Sequence, residues 1–286
     1  MDALVSTDWL AGGLGAADLR ILDATAFLPG SGRDARAEYE AAHIPGATYF
    51  DLEEVSDPAS PFPHSWPSPA HFASRMRALG LGDADRIVVY DNSPLHTSAR
   101  AWYMLTSFGA RRVAILDGGL PKWLAEGRPT ERGTSTPRSG HFTPRPVDGA
   151  VVARAQVLSL LGAGSHALAD ARPAERFRGD VPEPRPGLAA GHIPGARSLP
   201  QSDFFHLDNT FRRGDELRAA FAAAGVDLAR PLIATCGSGV TACVLLFGAH
   251  LLGKTDLALY DGSWSEWGAD PATPKAQGDP TERPAA

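Results

Sequence analysis

The chain has 286 residues, of which 43% are hydrophobic, enough for a packed core in each of two domains of ordinary size. Its net charge of −6 and the absence of any Lys/Arg run argue against a nucleic-acid-binding surface. The N-terminal sequence has no basic region ahead of an apolar stretch, and the longest apolar stretch, residues 242–252, is too short to span a bilayer. We therefore expect a cytoplasmic protein that binds neither nucleic acid nor membrane. Two cysteines without a Cys-x-x-Cys motif or a Cys/His cluster also argue against a disulfide scaffold and a zinc site.

The chain contains an internal duplication, because four short segments recur in the same order at nearly constant spacing. The His-Ile-Pro-Gly-Ala segment is identical in the two copies, and each copy has a normal domain length. The recurring segments are residues 21–24, 43–47, 88–91 and 116–123 in the first copy, and residues 168–171, 192–196, 233–236 and 260–267 in the second.

Within each copy, short apolar runs typical of buried strands alternate with helical patterns. The first copy has a helical pattern over residues 69–79, ended by Gly80, and the second has one over residues 215–224, ended by Gly225. This alternation predicts an α/β fold in which each of the two domains has a mostly parallel sheet flanked by helices.

A stretch rich in Pro, Thr, Ser, Gly and Arg, residues 128–148, separates the two copies and lacks a hydrophobic period. We therefore predict a first domain over residues 1–130, a linker over residues 131–150 and a second domain over residues 151–286. The segment after Pro271, rich in Pro, Thr and Ala, is expected to be mobile.

The histidine that opens each His-Ile-Pro-Gly-Ala segment suggests chemistry, but a structural role is the better interpretation. A histidine ahead of a Pro-Gly turn commonly fixes the turn through side-chain hydrogen bonds, and we expect this of His43 and His192. Asp117 and Asp261, each followed by glycine, are likewise expected to form turns.

Residues 236–242, Cys-Gly-Ser-Gly-Val-Thr-Ala, are the segment that most suggests catalysis. They follow a strand-like run, residues 231–235, and lead into an apolar helical pattern over residues 241–252, ended by Gly253. Backbone N–H groups of a Gly-rich turn, together with the positive end of the following helix, favour a thiolate and an anionic ligand. In parallel sheets, ligands bind beyond the carboxyl ends of strands, where Cys236 falls.

A small buried residue is the alternative interpretation of Cys236, but the two glycines that follow serve no packing purpose in a core strand. Cys243, flanked by apolar residues, is expected in the core, with a resolving-thiol role as the alternative. The first copy has Asp91 at the position of Cys236. Since a carboxylate cannot do thiol chemistry, only the second domain is expected to be catalytic.

With the duplicated segments, the Cys236 loop and the Gly-Ser-Trp-Ser-Glu-Trp segment at residues 262–267, the chain resembles the tandem rhodanese family over most of its length. The resemblance implies two tandem rhodanese-like domains and a sulfurtransferase activity that needs no metal or organic cofactor. The loop is similar to that of members using 3-mercaptopyruvate, whereas members using thiosulfate typically carry basic residues at the positions of Gly237 and Ser238. A dianionic thiosulfate favours such cationic side chains in the loop, while a mercaptopyruvate carboxylate can be bound farther away.

The resemblance also implies two arginines that bind the substrate's carboxylate and carbonyl groups. These are Arg176 and Arg185, whereas the roles of the neighbouring Arg172 and Arg178 stay undecided.

An acid–histidine–serine relay is implied as well, with its first members in the segment of residues 50–64 of the first domain. It would consist of Glu53, His64 and Ser238, with the adjacent Glu54 as an alternative acid, and would move protons during turnover. Backbone N–H groups of the loop would bind the anionic persulfide, contributed by Gly237, Ser238, Gly239, Val240 and Thr241.

The reaction implied by the family is a ping-pong transfer. The Cys236 thiolate would attack the sulfur of 3-mercaptopyruvate, pyruvate would leave, and the Cys236 persulfide would pass its sulfur to an acceptor. Small thiols, thioredoxin and cyanide are the acceptors that the family implies.

Three other functions stay open. Thiosulfate sulfurtransferase is the nearest alternative, although the neutral loop argues against it. A cysteine phosphatase needs an arginine six residues after the nucleophile, where this chain has Ala242. A non-catalytic rhodanese module that only binds partners would form no persulfide.

Overall fold

A computed structural model describes residues 1–279, which form two compact units. The first unit comprises residues 1–59, 66–147 and 205–211, and the second comprises residues 60–65, 148–204 and 212 onward. This division differs from the boundaries expected from the sequence at three places. Residues 131–147 lie in the first unit, residues 60–65 lie in the second, and residues 205–211 lie in the first.

The first unit contains five short strands and six helices. The strands are β1 (Leu4–Val5), β2 (Leu19–Asp23), β3 (Ala47–Tyr49), β4 (Arg86–Tyr90) and β5 (Val113–Leu116). The helices are α1 (Thr7–Gly13), α2 (Ala35–Ala41), α3 (Leu52–Val55), α4 (Pro69–Ala78), α5 (Ser98–Ser107) and α6 (Gly119–Ala125). The strands form one parallel sheet in the order β1-β5-β4-β2-β3.

The second unit repeats this plan. Its strands are β6 (Val151–Val152), β7 (Ala167–Asp170), β8 (Arg197–Ser198), β9 (Leu232–Thr235) and β10 (Leu257–Tyr260). Its helices are α7 (Arg154–Leu160), α8 (Ala174–Arg178), α9 (Gly214–Ala223), α10 (Ala242–Leu251) and α11 (Ser263–Trp267), with a 3₁₀ helix at Gln201–Phe204. The sheet is again parallel, in the order β6-β10-β9-β7-β8. The equivalent order confirms the duplication and the α/β fold.

Local sequence signals set the ends of the predicted helices. Helix α4 begins after Ser68, whose hydroxyl accepts a hydrogen bond from the His71 N–H, and Pro69 occupies the first helical position. It ends just before Gly80, whose φ of +76° lies in the left-handed region that stops a helix. The predicted helices over residues 69–79, 215–224 and 241–252 thus correspond to α4, α9 and α10 to within a residue at each end.

Each unit has its own apolar core around its sheet. In the second unit, helix α10 is buried on every side over residues 242–249, so it carries no amphipathic stripe and lies inside the unit. This helix is only ten residues long, and no helix within residues 1–279 is both long and apolar enough to cross a membrane.

The segment after Pro271 packs against the second unit as far as it is described, contrary to the expectation of mobility. The Trp267 indole N–H donates to the Pro274 carbonyl at 2.7 Å, and His192 and Ala276 exchange two backbone hydrogen bonds. Thr273 is 5% exposed. Residues 280–286 lie outside the described residues.

Candidate active site

Cys236 stands directly after strand β9, at the carboxyl end of the parallel sheet, and is 2% exposed. Its N–H donates to the Ser263 hydroxyl at 3.2 Å, and its carbonyl accepts from the Trp264 N–H at 3.0 Å. Ser263 in turn donates to the Tyr260 carbonyl at 2.8 Å. The backbone on both sides of the thiol is therefore fixed to the beginning of helix α11.

The chain between β9 and α10 forms a short loop in which Gly239 has a φ of +73°. This left-handed conformation is open to glycine at little cost, which explains one of the two glycines after the cysteine. Thr241 is the residue that precedes helix α10, so the loop leads into the N-terminus of that helix as predicted.

Gly237, the other glycine, faces two guanidinium groups. A Cβ atom at this position would lie 3.3 Å from Arg176 Nη2 and 3.9 Å from Arg185 Nη1. The structure therefore brings both predicted substrate-binding arginines to the Cys236 loop. A side chain at residue 237 would fill the space between the loop backbone and these cations.

Glu183 holds two arginines of this region in place, a role that the sequence did not reveal. Its carboxylate is 1% exposed and forms ion pairs with Arg176 and, at 2.7 Å, with Arg172. Because Glu183 shares its charge between these two side chains, it orients Arg176 beside the loop.

The two undecided arginines have contacts of their own. Arg172 is 1% exposed, pairs with Asp170 at 2.7 Å, donates to the Gly191 carbonyl and lies 4.5 Å above the Trp264 ring. Burial opposes its charge, but Asp170 and Glu183 outweigh burial and raise the pKa of Arg172. Arg178 forms an ion pair with Asp180 in which both side chains are largely exposed. We conclude that Arg172 is a structural cation and that Arg178 lies in a surface pair.

His64 contacts the loop within the second unit, to which residues 60–65 belong. Its Nδ1 lies 3.0 Å from the hydroxyl oxygen of Ser238, which is 6% exposed. His64 has a φ of +57°, a conformation that a bulky residue adopts only when its surroundings impose it. Ser60 and Ser65, whose hydroxyl oxygens are 2.6 Å apart, stabilise this segment. The structure thus brings two members of the predicted relay together.

Glu53, the third predicted member, lies on helix α3 in the first unit, where its N–H donates to the Asp51 carboxylate at 3.1 Å. Its role as the acid stays a prediction, as does the choice between Glu53 and Glu54.

In the first unit, backbone N–H groups of the equivalent loop bind a side-chain carboxylate of the same loop, that of Asp91. Asp91 follows strand β4, and its two carboxylate oxygens accept from the Ser93 N–H at 3.0 Å and the Ser98 N–H at 2.8 Å. Ser98 is the first residue of helix α5, so the carboxylate caps this helix. The loop borders a cavity of about 220 Å³ that Arg33, His96 and Phe211 also line.

The two His-Ile-Pro-Gly-Ala histidines are structural, but each one binds a preceding helix rather than its own turn. His43 Nδ1 lies 2.8 Å from the Tyr39 carbonyl oxygen, and the two rings stack at 4.2 Å. His192 repeats this arrangement with Phe177, at 2.8 Å and 3.8 Å. Burial lowers the pKa of His192, which favours the neutral ring.

Comparisons with known proteins agree with this architecture. Models of the rhodanese-like domain match residues 6–126 and 153–270, so the chain belongs to the rhodanese family and carries two such domains in tandem. It is 42% identical to 3-mercaptopyruvate sulfurtransferase of Homo sapiens over 271 aligned residues. The alignment covers 93% of this chain and 91% of that protein. It is 43% identical over 286 residues to thiosulfate sulfurtransferase of Cricetulus griseus, at 96% coverage of both chains.

Among solved structures, the chain is similar to the 3-mercaptopyruvate sulfotransferase SseA from Escherichia coli. The TM-score is 0.84 and the sequence identity 39%, over 93% of this chain and 100% of that one. No group of three or more His, Cys, Asp or Glu side chains within residues 1–279 is arranged to hold a metal ion.

Proposed function

We propose that this protein transfers the sulfur of 3-mercaptopyruvate to a thiol or cyanide acceptor through a persulfide on Cys236, and releases pyruvate. The observation that carries the proposal is the position of Arg176 and Arg185, which both face Gly237 next to the thiol. The substrate is an α-keto acid in which the carbonyl carbon is bonded to the carbon of the C–S bond to be broken, and the carboxylate follows the carbonyl carbon. Cations that face the residue directly after the nucleophilic Cys236 suit such a molecule.

The arginines would bind the substrate while Cys236 reacts with it. A guanidinium presents a planar fork of donors that matches a carboxylate, and it keeps its charge at any pH at which the enzyme works. Glu183 pairs with Arg176 from the side, so that cation is oriented before the substrate arrives. We assign the carboxylate and the carbonyl oxygen of the substrate jointly to Arg176 and Arg185.

In the first half-reaction, the sulfur atom would pass from the substrate to Cys236. The Cys236 thiolate attacks the substrate sulfur, an S–S bond forms and the C–S bond breaks. The electron pair of the broken bond stays on carbon as the enolate of pyruvate, which takes a proton at C3. Arginines beside the developing enolate stabilise its charge. In the second half-reaction the acceptor attacks the outer sulfur of the persulfide and Cys236 leaves as a thiolate.

Ser238 and His64 would move the proton that this sequence needs. Their 3.0 Å separation is a hydrogen-bond distance, and Ser238 follows the nucleophile by two residues. In this proposal Glu53 is the acid that orients His64. Backbone N–H groups of Gly237, Ser238, Gly239, Val240 and Thr241 are the proposed donors to the persulfide anion.

Small thiols, thioredoxin and cyanide are the proposed acceptors, and the cytoplasm is the proposed location. Both cysteines of the chain are free thiols, which suits a reducing compartment.

Thiosulfate as the donor is the second candidate function, because the relative from Cricetulus griseus, named thiosulfate sulfurtransferase, is as similar in sequence as the mercaptopyruvate enzyme. The loop favours mercaptopyruvate. Gly237 and Ser238 carry no charge, and the two guanidinium groups near the loop are set for a carboxylate and carbonyl beside the reacting sulfur.

Two measurements test the proposal. The first is kcat/KM with 3-mercaptopyruvate and with thiosulfate, using one thiol acceptor, where we expect a strong preference for mercaptopyruvate. The second is the intact mass after donor alone, where we expect one added sulfur atom on the wild type and on Cys243→Ser, and none on Cys236→Ser. A preference for thiosulfate would favour the second candidate, and no added sulfur from either donor would favour a binding module.

A further inference from the structure

We infer that Ser265 is a positioning residue of the active-site loop, which fixes the peptide between Gly237 and Ser238 so that its N–H faces the sulfur of Cys236. Ser265 is 5% exposed and lies on helix α11, outside the loop. The inference deepens the proposed function, because the sulfur in question is the one that would carry the persulfide.

The outer side of the loop is held at three carbonyl groups. The Cys236 carbonyl accepts from the Trp264 N–H at 3.0 Å, and the Gly239 carbonyl accepts from the Cys243 thiol at 3.3 Å. The Gly237 carbonyl accepts twice from Ser265, from its N–H at 2.8 Å and from its hydroxyl at 2.7 Å.

A trans peptide places its N–H on the side opposite its carbonyl. Since the carbonyls of residues 236, 237 and 239 point toward α11 or into α10, the N–H groups of Gly237, Ser238 and Val240 point to the other side of the loop. The three anchors, two on α11 and one on α10, thus determine which way the N–H groups of Gly237, Ser238 and Val240 point. Backbone donors arranged in this way form an anion-binding concavity.

Of the three carbonyl anchors, Ser265 is the one that uses a side chain of α11. The Trp264 contact uses backbone alone, whereas half of the Ser265 contact is a hydroxyl donor that a single substitution removes. The backbone N–H of residue 265 remains after Ser265→Ala, so the loop stays attached but its 237–238 peptide gains freedom to rotate. The loss of one such hydrogen bond corresponds to about a three- to tenfold effect on a rate.

The test compares Ser265→Ala with Ser159→Ala. Ser159 also donates its hydroxyl to a backbone carbonyl in the second unit, that of Gln156 at 2.7 Å, but it lies on exposed helix α7. We expect Ser265→Ala to slow persulfide formation from 3-mercaptopyruvate about three- to tenfold in a single turnover. The half-life of the persulfide without acceptor should shorten, and KM should change little because the arginines are untouched. Ser159→Ala should match the wild type.

Ser265→Thr keeps the hydroxyl and should restore most of the rate. A Ser265→Ala variant that is folded at the assay temperature and forms and keeps the persulfide as the wild type does would overturn the inference, as would a folded Ser265→Thr variant as slow as Ser265→Ala.

Alkylation of Cys236 by iodoacetamide needs no sulfur donor and separates this inference from the proposed function. If the wild type forms no persulfide, the proposed function fails, yet slower alkylation of Ser265→Ala than of wild type still supports the positioning role. Equal alkylation rates in that case would overturn the positioning role as well.

Discussion

Arg176, Arg178 and Arg185 lie within ten residues of one another, and only their contacts distinguish them. Arg176 and Arg185 face Gly237, whereas Arg178 pairs with Asp180 at the surface. The different surroundings predict different responses to the same conservative replacement by lysine. A lysine keeps the positive charge but has no planar fork of donors.

We expect Arg185→Lys to reduce kcat/KM for 3-mercaptopyruvate about ten- to a hundredfold, because a charged hydrogen bond contributes about 1.5–3 kcal/mol. The loss should appear mainly in KM, since lysine keeps the charge that would stabilise the enolate but loses the fork proposed to bind the substrate in the ground state and the transition state alike. Arg178→Lys is the matched control and should retain wild-type kinetics. Steady-state kinetics of the two variants check this, and an equal loss in both, or wild-type kinetics in Arg185→Lys, would show that the planar fork at residue 185 does not determine binding.

Sequence patterns could single out Cys236 and its loop, because these depend on local motifs, whereas His64 was implied only by the resemblance to the family. They could not identify Glu183, Ser263 or Ser265 as neighbours of the site. Ser263 and Ser265 reach the loop from a position 27 and 28 residues further along the chain, through the pairing of β9 with β10. Their roles depend on how the sheet assembles and leave no periodic signal. The sequence shows the repeated Asp-Ala dipeptide at residues 23–24 and 170–171. It does not show that Asp23 binds the Thr25 N–H while Asp170 pairs with Arg172.

At the scale of elements, the equivalent strands β2 and β7 both end in an aspartate, but the two aspartates have different surroundings. Asp170, at the end of β7, forms a buried ion pair with Arg172 at 2.7 Å. Asp23, at the end of β2, has Thr25 at the corresponding place, whose N–H donates to it at 2.9 Å. Burial raises the pKa of Asp23 to about 6, and the nearby Asp91 adds to this effect.

This difference predicts a pH dependence that belongs to the first unit. A carboxyl whose folded pKa is about 6 and whose ordinary value is 3.8 stabilises the fold fully only below the ordinary value. Its contribution is lost as pH rises to about 6, and the total is about 3 kcal/mol at most. Asp23→Asn stays neutral at every pH. We therefore expect Tm to fall less for Asp23→Asn than for the wild type between about pH 4 and pH 7.

Asp170→Asn is the matched variant at the end of β7. Asp170→Asn removes one of the two ion-pair partners of the buried Arg172 and leaves Glu183, so this variant should lose stability throughout the same pH range. Thermal unfolding of both variants and of the wild type as a function of pH provides the comparison. An unchanged pH slope in Asp23→Asn would show that the Asp23 carboxyl is already ionised in the folded protein.

At the scale of the whole molecule, the duplicated fold has two equivalent loops, which begin with Asp91 in the first unit and with Cys236 in the second. Both loops follow the equivalent central strand of a parallel sheet and lead into a helix. In the second unit the loop begins with the Cys236 thiol and faces Arg176 and Arg185. In the first unit Asp91 fills the place of the anion with its own carboxylate. The sequence predicts from this one difference, Asp91 against Cys236, that only the second domain is catalytic.

A thiol alone should not make the first unit a sulfurtransferase. The first loop contains Pro94, which has no N–H to donate, and Arg33 beside the cavity is bound by Glu38 through two hydrogen bonds of 2.7 and 2.5 Å. A cysteine at position 91 would therefore meet fewer loop donors, and the residues lining this cavity include one arginine, Arg33, where two arginines face the Cys236 loop. We expect the double variant Asp91→Cys, Cys236→Ser to gain no sulfur from 3-mercaptopyruvate.

The intact mass after incubation with the donor tests this expectation. The control is the single variant Asp91→Cys, which retains Cys236 and should carry one added sulfur atom. Loss of the Asp91 cap should also lower the stability of the first unit by about 0.5–2 kcal/mol, so Tm is measured alongside to establish that the double variant is folded. One added sulfur per chain in the folded double variant would mean that the first loop is competent and lacks only its thiol. Its absence would assign the difference between the two copies to the loop donors and arginines as well as to the cysteine.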